Sequence, residues 1–182
     1  MQKTHELNPK KKKVLIIYST TNGHCLKVSN FIKQYLNANV DVISIKETIP
    51  DLNFYDGIII GASIRYGKHN SLVKKYINSH YKEIQSKPNA FFSISLIARK
   101  EERRTIECNP YVKKFLSSIK WKPQKLSIIG GVLNYPEYSI LDKYMIKFIM
   151  NITHGPTDLS SVIEYTNWND VKKFALDFNQ GL

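Results

Sequence analysis

The sequence predicts an α/β fold: a doubly wound parallel sheet of five strands with a long insertion after the fifth. Three observations lead there. Five short apolar runs rich in Val and Ile recur along the chain, each reading as a strand covered on both faces. Stretches of helical periodicity separate them. The rhythm breaks once, over residues 133–159, before a last amphipathic helix. Strands alternating with helices bury their faces as one sheet with helices on both sides.

Val14-Leu15-Ile16-Ile17-Tyr18 is the first strand, and Leu26, Val28, Phe31, Ile32, Tyr35 and Leu36 then mark a helix face. Val40-Asp41-Val42-Ile43-Ser44 is the second strand. Gly57-Ile58-Ile59-Ile60-Gly61 is the third, bounded by glycines, and Leu72, Val73, Tyr76 and Ile77 give the next helix. Ala90 to Ile94 is the fourth strand, followed by a helix from Tyr111 to Leu116 behind Pro110. Leu126 to Val132 is the fifth. Ser161 to Tyr165 is a short strand that resumes or flanks the sheet. Asn167 stands as the N-cap of a last helix whose apolar face is Trp168, Val171, Phe174, Ala175 and Phe178.

With 182 residues, 42% apolar and 23% charged, the chain suits one soluble domain, placed over 14–178. Residues 1–13 form a polar tail ending in Lys10 to Lys13. The apolar run behind them is too short for a signal peptide, and no stretch is long enough to span a bilayer. Cys25 and Cys108 form no CxxC pair, which argues against a zinc ribbon or a disulfide framework and fits a reducing compartment. The five histidines show no HxxxH or HxH spacing, so no metal is expected.

The 27 basic residues outnumber 15 acidic ones, a net charge of +12 that suggests an anionic partner. Nucleic acid, an acidic membrane surface and a phosphate or carboxylate ligand all qualify. Only four of the 27 are Arg, however, and a Lys-, Ile- and Asn-rich usage is also what AT-rich coding produces. Charge alone leaves these readings open.

Ligands of such sheets bind beyond the carboxyl ends of the strands, where the strand order reverses. The first strand–helix loop, Ser19 to Cys25, is neither GxGxxG nor GxxxxGK[ST], so dinucleotide and nucleoside triphosphate sites lose their main support. It holds hydroxyls, an amide and one Gly at a helix N-terminus, which suits a phosphate dianion in the manner of flavodoxins, which hold FMN. A hydroxyl-rich turn that only caps its helix is the competing reading.

Further along, Gly61-Ala62-Ser63-Ile64-Arg65-Tyr66-Gly67 and Leu96-Ile97-Ala98-Arg99-Lys100 with Arg103-Arg104-Thr105 resemble the flavodoxin-like, quinone-dependent protoporphyrinogen oxidases of bacterial haem synthesis. So do Asn134-Tyr135-Pro136-Glu137-Tyr138, the run from Asp142 to Met150, Gly155-Pro156-Thr157-Asp158 and Tyr165-Thr166-Asn167-Trp168. The resemblance covers residues 14–178. It implies a flavodoxin-like fold with FMN as cofactor. The activity implied is oxidation of protoporphyrinogen IX to protoporphyrin IX by six electrons, in three rounds of FMN reduction. A membrane quinone, menaquinone or ubiquinone, is the implied acceptor. The protein would then work at the cytoplasmic face of the cell membrane as a peripheral protein.

Carried onto this chain, the resemblance places Thr20, Thr21, Asn22, Gly23, His24 and Cys25 around the phosphate. Ser63, Ile64, Arg65 and Tyr66 after the third strand, and Ser95, Leu96, Ile97 and Ala98 after the fourth, would flank the flavin ring. Cys25 departs from the hydroxyl residue usual there, and its weaker hydrogen bond would lower FMN affinity. His24 is either a backbone donor to the phosphate or a proton relay. The substrate's two propionates would find Arg65, Arg99, Lys100, Arg103 and Arg104, since guanidinium binds carboxylates in bidentate fashion; solvated loop charges are the alternative. The segment Ile140 to Ile152, with Lys143 and Lys147 at i, i+4, is a helix too short to cross a bilayer. It reads as a membrane-surface helix, a lid or a homo-oligomer interface.

Three rivals remain. An FMN-dependent NAD(P)H:quinone reductase has no need of the Arg-rich loop or the apolar insertion. A flavodoxin-type electron carrier is usually acidic. A nucleic-acid-binding module leaves the FMN-type loops without purpose, so no nucleic-acid partner is expected.

Overall fold

The computed structural model describes residues 11–182. The basic tail expected over 1–13 therefore falls mostly outside the described residues. Lys13 itself opens the first strand, with its ammonium 3.1 Å from the Asp41 carboxylate.

Eight strands and five helices follow in order: β1 (Lys13–Ser19), α1 (His24–Tyr35), β2 (Asn39–Ser44), β3 (Gly57–Arg65), β4 (Lys68–His69), α2 (Ser71–Gln85), β5 (Asn89–Ser95), α3 (Pro110–Ser117), β6 (Lys125–Gly130), β7 (Val132–Asn134), α4 (Ile140–Ile152), β8 (Val162–Glu164) and α5 (Trp168–Asn179). Five strands are parallel in the order β2-β1-β3-β5-β6, the flavodoxin-type arrangement. The chain leaves β1 toward β2 on one side and returns to β3 on the other, so the order reverses at the β1/β3 ends.

The continuous apolar runs exist because both faces of the sheet are covered. Val14 and Ile16 of β1 point into a cluster with Val28 and Ile32 of α1 and Val171, Phe174 and Phe178 of α5. Leu15 and Ile17 point the other way, to Val73 and Ile77 of α2, Phe115 of α3 and Trp121. Alternate residues thus feed two cores, each about one helix layer thick.

Two strand boundaries differ from expectation. Gly61 does not end β3, which continues to Arg65. Gly61 is required instead by packing, because a Cβ there would stand 2.0 Å from Cζ of the buried Phe92. The fifth strand splits. β6 ends at Gly130, Gly131 N–H donates to Ser95 C=O (3.0 Å), and β7 leaves to pair antiparallel with β8. Residues 161–165 therefore flank the main sheet rather than resume it. A Cβ on Gly130 would lie 2.5 Å from the Tyr165 carbonyl oxygen, so this crossing of backbones demands glycine.

Candidate active site

Loop 20–23 follows β1, and Gly23 at the N-cap of α1 adopts φ +76°, a conformation only glycine takes without strain. No side chain caps α1, whereas Asn70, Asn109, Ser139 and Asn167 cap α2, α3, α4 and α5. The first helical bond runs from Lys27 N–H to Gly23 C=O (3.0 Å), and the N–H groups of His24, Cys25 and Leu26 precede it. The hydroxyl-rich loop is thus not a cap. It leaves a helix N-terminus and its hydroxyls facing a cavity.

The His24 side chain is committed elsewhere. Its Nε2 lies 2.7 Å from Thr166 Oγ1, and that hydroxyl donates its one proton to Gly130 C=O (2.8 Å). Nε2 therefore carries hydrogen and donates to Thr166. Burial depresses the His24 pKa, with Glu164 opposing and Lys27 adding to the effect, so the ring is neutral near pH 7. It ties α1 to the start of α5 and is not a free relay. Cys25 is fully buried, and burial pushes its thiol far above the ordinary range. What it brings to the loop is its backbone N–H, not a reactive thiolate.

The second wall is the β3–β4 hairpin. Tyr66 (φ +49°) and Gly67 (φ +72°) form a two-residue turn with both φ positive, the form that matches strand twist. Ser63, Ile64 and Arg65 lie on β3 itself rather than in a loop after it. Ser63 Oγ donates to Ser19 C=O (3.3 Å), and Arg65 Nη1 to Asn22 Oδ1 (3.3 Å), joining this wall to the first loop.

The third wall follows β5. Ser95 closes that strand, and Leu96, Ile97 and Arg99 reach the cavity; Ala98 is buried beneath, against Val112 and Ile128. Ser95 Oγ is buried without a partner, as is Asn134 Oδ1 beyond β6, and both residues line the cavity. Buried polar atoms are ordinarily satisfied, so this pair implies a ligand or water with polar groups.

Helix α4 forms the roof. Met145, Ile146, Ile149 and Met150 turn toward the cavity. Side chains hold the helix at both ends. Asp142, in its first turn, accepts from Arg65 Nη2, Tyr66 OH and Ser139 Oγ, the last at 2.7 Å. The hydrogen bonds from Tyr66 and Ser139, with the Arg65 charge beside them, keep the Asp142 carboxyl below the usual range. At the other end Arg99 Nη2 donates to Thr153 C=O (3.0 Å) and Oγ1 (2.8 Å). Two arginines read from sequence as carboxylate receptors therefore clamp the roof.

Lys100, Arg103 and Arg104 do not reach the cavity. Arg103 Nη1 donates to Cys108 C=O (2.8 Å), and Arg104 Nε donates to Ala98 C=O (3.0 Å) with its charge 3.7 Å from Asp170. The enclosed space is about 1030 Å³, at the top of the range for small-molecule sites and enough for more than one ring system. Sequence reading missed Lys68, Tyr111, Lys114, Asn134, Tyr138 and Asp142, which come from five different elements or turns. The local signals were the Ser139-x-x-Asp142 spacing of a helix N-terminus and, for Asn134, Tyr138 and Asp142, the motifs of the family resemblance, which had assigned them no role. Among the described residues there is no cluster that could hold a metal ion and no helix long and apolar enough to cross a membrane.

The strand order and a cavity at the strands' carboxyl ends define a flavodoxin-type protein. The model of the flavodoxin-domain family matches residues 15–160. The chain is 39% identical over 171 residues to the protoporphyrinogen IX dehydrogenase (quinone) of Leishmania major, spanning 91% of this chain and 74% of that one. It is 37% identical over 167 residues to the Escherichia coli K12 protein of the same name, spanning 90% and 92%. The rubredoxin oxygen:oxidoreductase of Desulfovibrio gigas shares the fold alone, with a TM-score of 0.52 at 11% identity over 94% of this chain and 36% of that one. The chain belongs to the flavodoxin-domain family and, at this identity and coverage, to its protoporphyrinogen IX dehydrogenase (quinone) members.

Proposed function

We propose that this protein is an FMN-dependent oxidoreductase that converts protoporphyrinogen IX to protoporphyrin IX with a membrane quinone as acceptor. The observation that carries the reading is the uncapped N-terminus of α1 opening into a cavity larger than a single cofactor requires, in a chain related at 37–39% identity to proteins of that name. Thr20, Thr21, Asn22 and Gly23, with the backbone N–H groups of His24 and Cys25, hold the FMN phosphate. Ser63 to Tyr66 and Ser95 to Ile97 border the ring, and Ser95 Oγ and Asn134 Oδ1 meet its polar edge or the substrate's. Bound there, FMN would supply the two-electron redox chemistry of the reaction. Six electrons and six protons leave each porphyrinogen, so three quinones are reduced to quinols per turnover. Helix α4, held by Asp142 and Arg99, keeps water off the reacting faces.

The outer face of α4 supports peripheral contact with lipid. Ile140, Leu141, Tyr144, Phe148 and Ile152 are each at least 60% exposed; Ile140, Tyr144, Phe148 and Ile152 form one stripe at four-residue spacing with Leu141 beside it, flanked by Lys143 and Lys147. Such a face enters the acyl boundary while flanking lysines meet anionic headgroups. In this reading the cavity mouth meets a quinone dissolved in the bilayer, at the cytoplasmic face of the cell membrane.

Anaerobic mixing of FMN-loaded protein with protoporphyrinogen IX and a quinone, followed by porphyrin fluorescence, tests the activity. Growth that needs both protein and quinone is expected. Absence of growth with FMN bound, together with oxidation of NADH or NADPH, would replace this reading by a nicotinamide-dependent quinone reductase.

A further inference from the structure

Charge in the cavity wall is almost wholly spoken for. Arg65 is paired with Asp142, Arg99 binds the end of α4, and Lys27 is 2.8 Å from Glu164. Two cations on the wall are exceptions among the described residues: Lys68, first residue of β4, and Lys114, in α3. Neither ammonium has an ion-pair or hydrogen-bond partner. Both are exposed, and Tyr111, exposed on the same wall, lies against Gly67, the neighbour of Lys68. That ring packs on the hairpin turn, so that a Cβ on Gly67 would stand 2.9 Å from Tyr111 Cε1, and it holds α3 against β4. Lys114 follows Tyr111 by three residues and shares its helix face. Tyr111 also lines the cavity, which puts an aromatic surface on the same wall as the two unpaired cations. The wall's one unpaired acid, Glu137, is carried by the turn before α4, on a separate element.

We infer that Lys68 and Lys114, with Tyr111 beside them, receive the two carboxylates of a tetrapyrrole dicarboxylate substrate at the cavity mouth. This rests on the function proposed above and replaces the arginine cluster as the carboxylate site. Both propionates of protoporphyrinogen IX lie on one edge of the macrocycle, and Lys68 and Lys114 stand on two elements that pack together, β4 and α3. Arginines already bonded to the roof would have to release it to bind the same groups. Lysines at an exposed rim act as point charges and need no fixed geometry, which suits a ligand that must leave as product after its shape has changed. The opposite, uncharged edge of the macrocycle then points inward, toward Met145, Ile149 and Met150.

The test is binding, not turnover. FMN-loaded wild type and the variants Lys68→Ala, Lys114→Ala and the double variant are titrated with protoporphyrin IX and with its dimethyl ester, by porphyrin fluorescence at low and high salt. Both lysines are exposed, so folding is preserved, and flavin fluorescence confirms equal FMN affinity. Diacid binding is expected to weaken roughly tenfold in the double variant, the product of two exposed ion pairs, and to lose most of its salt dependence. Ester binding stays at the wild-type value. Diacid binding unchanged in the double variant, or an equal loss for acid and ester, overturns the inference while leaving the function standing. Failure of wild type to bind either porphyrin overturns both.

Discussion

The floor and the roof of the cavity are built on different physical terms. The floor is the end of a parallel sheet whose strands are buried on both faces, with Gly61 pressed against Phe92 and every strand but the edges paired on two sides. The roof, α4, is apolar inside and out, and polar clamps at its two ends anchor it. Burial energy fixes the floor; the roof rests on a smaller apolar cluster, where Met150 and Ile146 meet Leu133 and Tyr135, and on directional bonds at its ends. The comparison teaches that a helix can be added over a flavodoxin-type sheet without entering its two cores, because its anchors, Arg65, Tyr66 and Arg99, stand at the end of β3, in the hairpin turn and after β5.

The largest expected effect breaks the floor. Gly61→Ala puts a methyl into the Phe92 ring and should cost about 3 kcal/mol, read in urea denaturation. A loss under about 1 kcal/mol would mean that the floor can shift, and the contrast with the roof would weaken.

The next sharpens the floor by pH. His69 on β4 is half-buried against Phe91 and Phe115, its Nε2 2.9 Å from Ser93 Oγ and its buried Nδ1 unpartnered. Burial pushes its pKa from 6.5 down to about 4. The unfolded chain takes up a proton below pH 6.5 that the native ring refuses, so stability falls as pH drops from 6.5 toward 4, by up to roughly 3 kcal/mol. His69→Gln should flatten that part of a stability–pH curve. An unchanged slope would assign the acid loss to other groups.

A local effect comes third. Asp142→Asn keeps the shape of the anchor but removes its charge from Arg65, and Asp142→Ala removes the anchor altogether. Limited proteolysis should nick residues 139–153 several-fold faster in the alanine variant, with the thermal midpoint of the sheet nearly unmoved. Loss of the whole fold in step with nicking would show that roof and floor are one cooperative unit.

The smallest effect on stability falls on the outer face of α4. Leu141→Ser with Phe148→Ser should change unfolding free energy by no more than about 0.5 kcal/mol. Co-sedimentation with vesicles containing anionic lipid should nevertheless drop. Retained binding would move the lipid contact away from this helix.

Much of the floor was legible in the chain. A strand covered on both faces is apolar along its length, and the centres of β1 and β3 announce themselves that way; β2, β5 and β6 do so despite a polar residue each in Asp41, Ser93 and Ser127. The first loop was legible for a related reason: a glycine with positive φ and a cluster of hydroxyls at a helix start are local features. The missing cap on α1 was not, because whether Thr20 or Thr21 bonds its own helix depends on the backbone angles of the folded loop. Gly61 was misread as a boundary, since glycine marks turns in a sequence and close contacts in a structure, and only Phe92 distinguishes the two.

The arginines mark the limit. Composition singled out Arg65, Arg99, Arg103 and Arg104 and their chemistry suggested carboxylates, yet each found its partner within the chain: Asp142, Thr153, Cys108 and Ala98. Those partners lie between 5 and 77 residues away. Periodicity and propensity act over a few residues, so by itself the sequence determined the strands, the helices, the loop that faces a phosphate and the family resemblance. Which charges pair across the cavity, where the fifth strand leaves the sheet and which lysines remain free were decided by tertiary structure, because pairing depends on distances that exist only once the chain has folded.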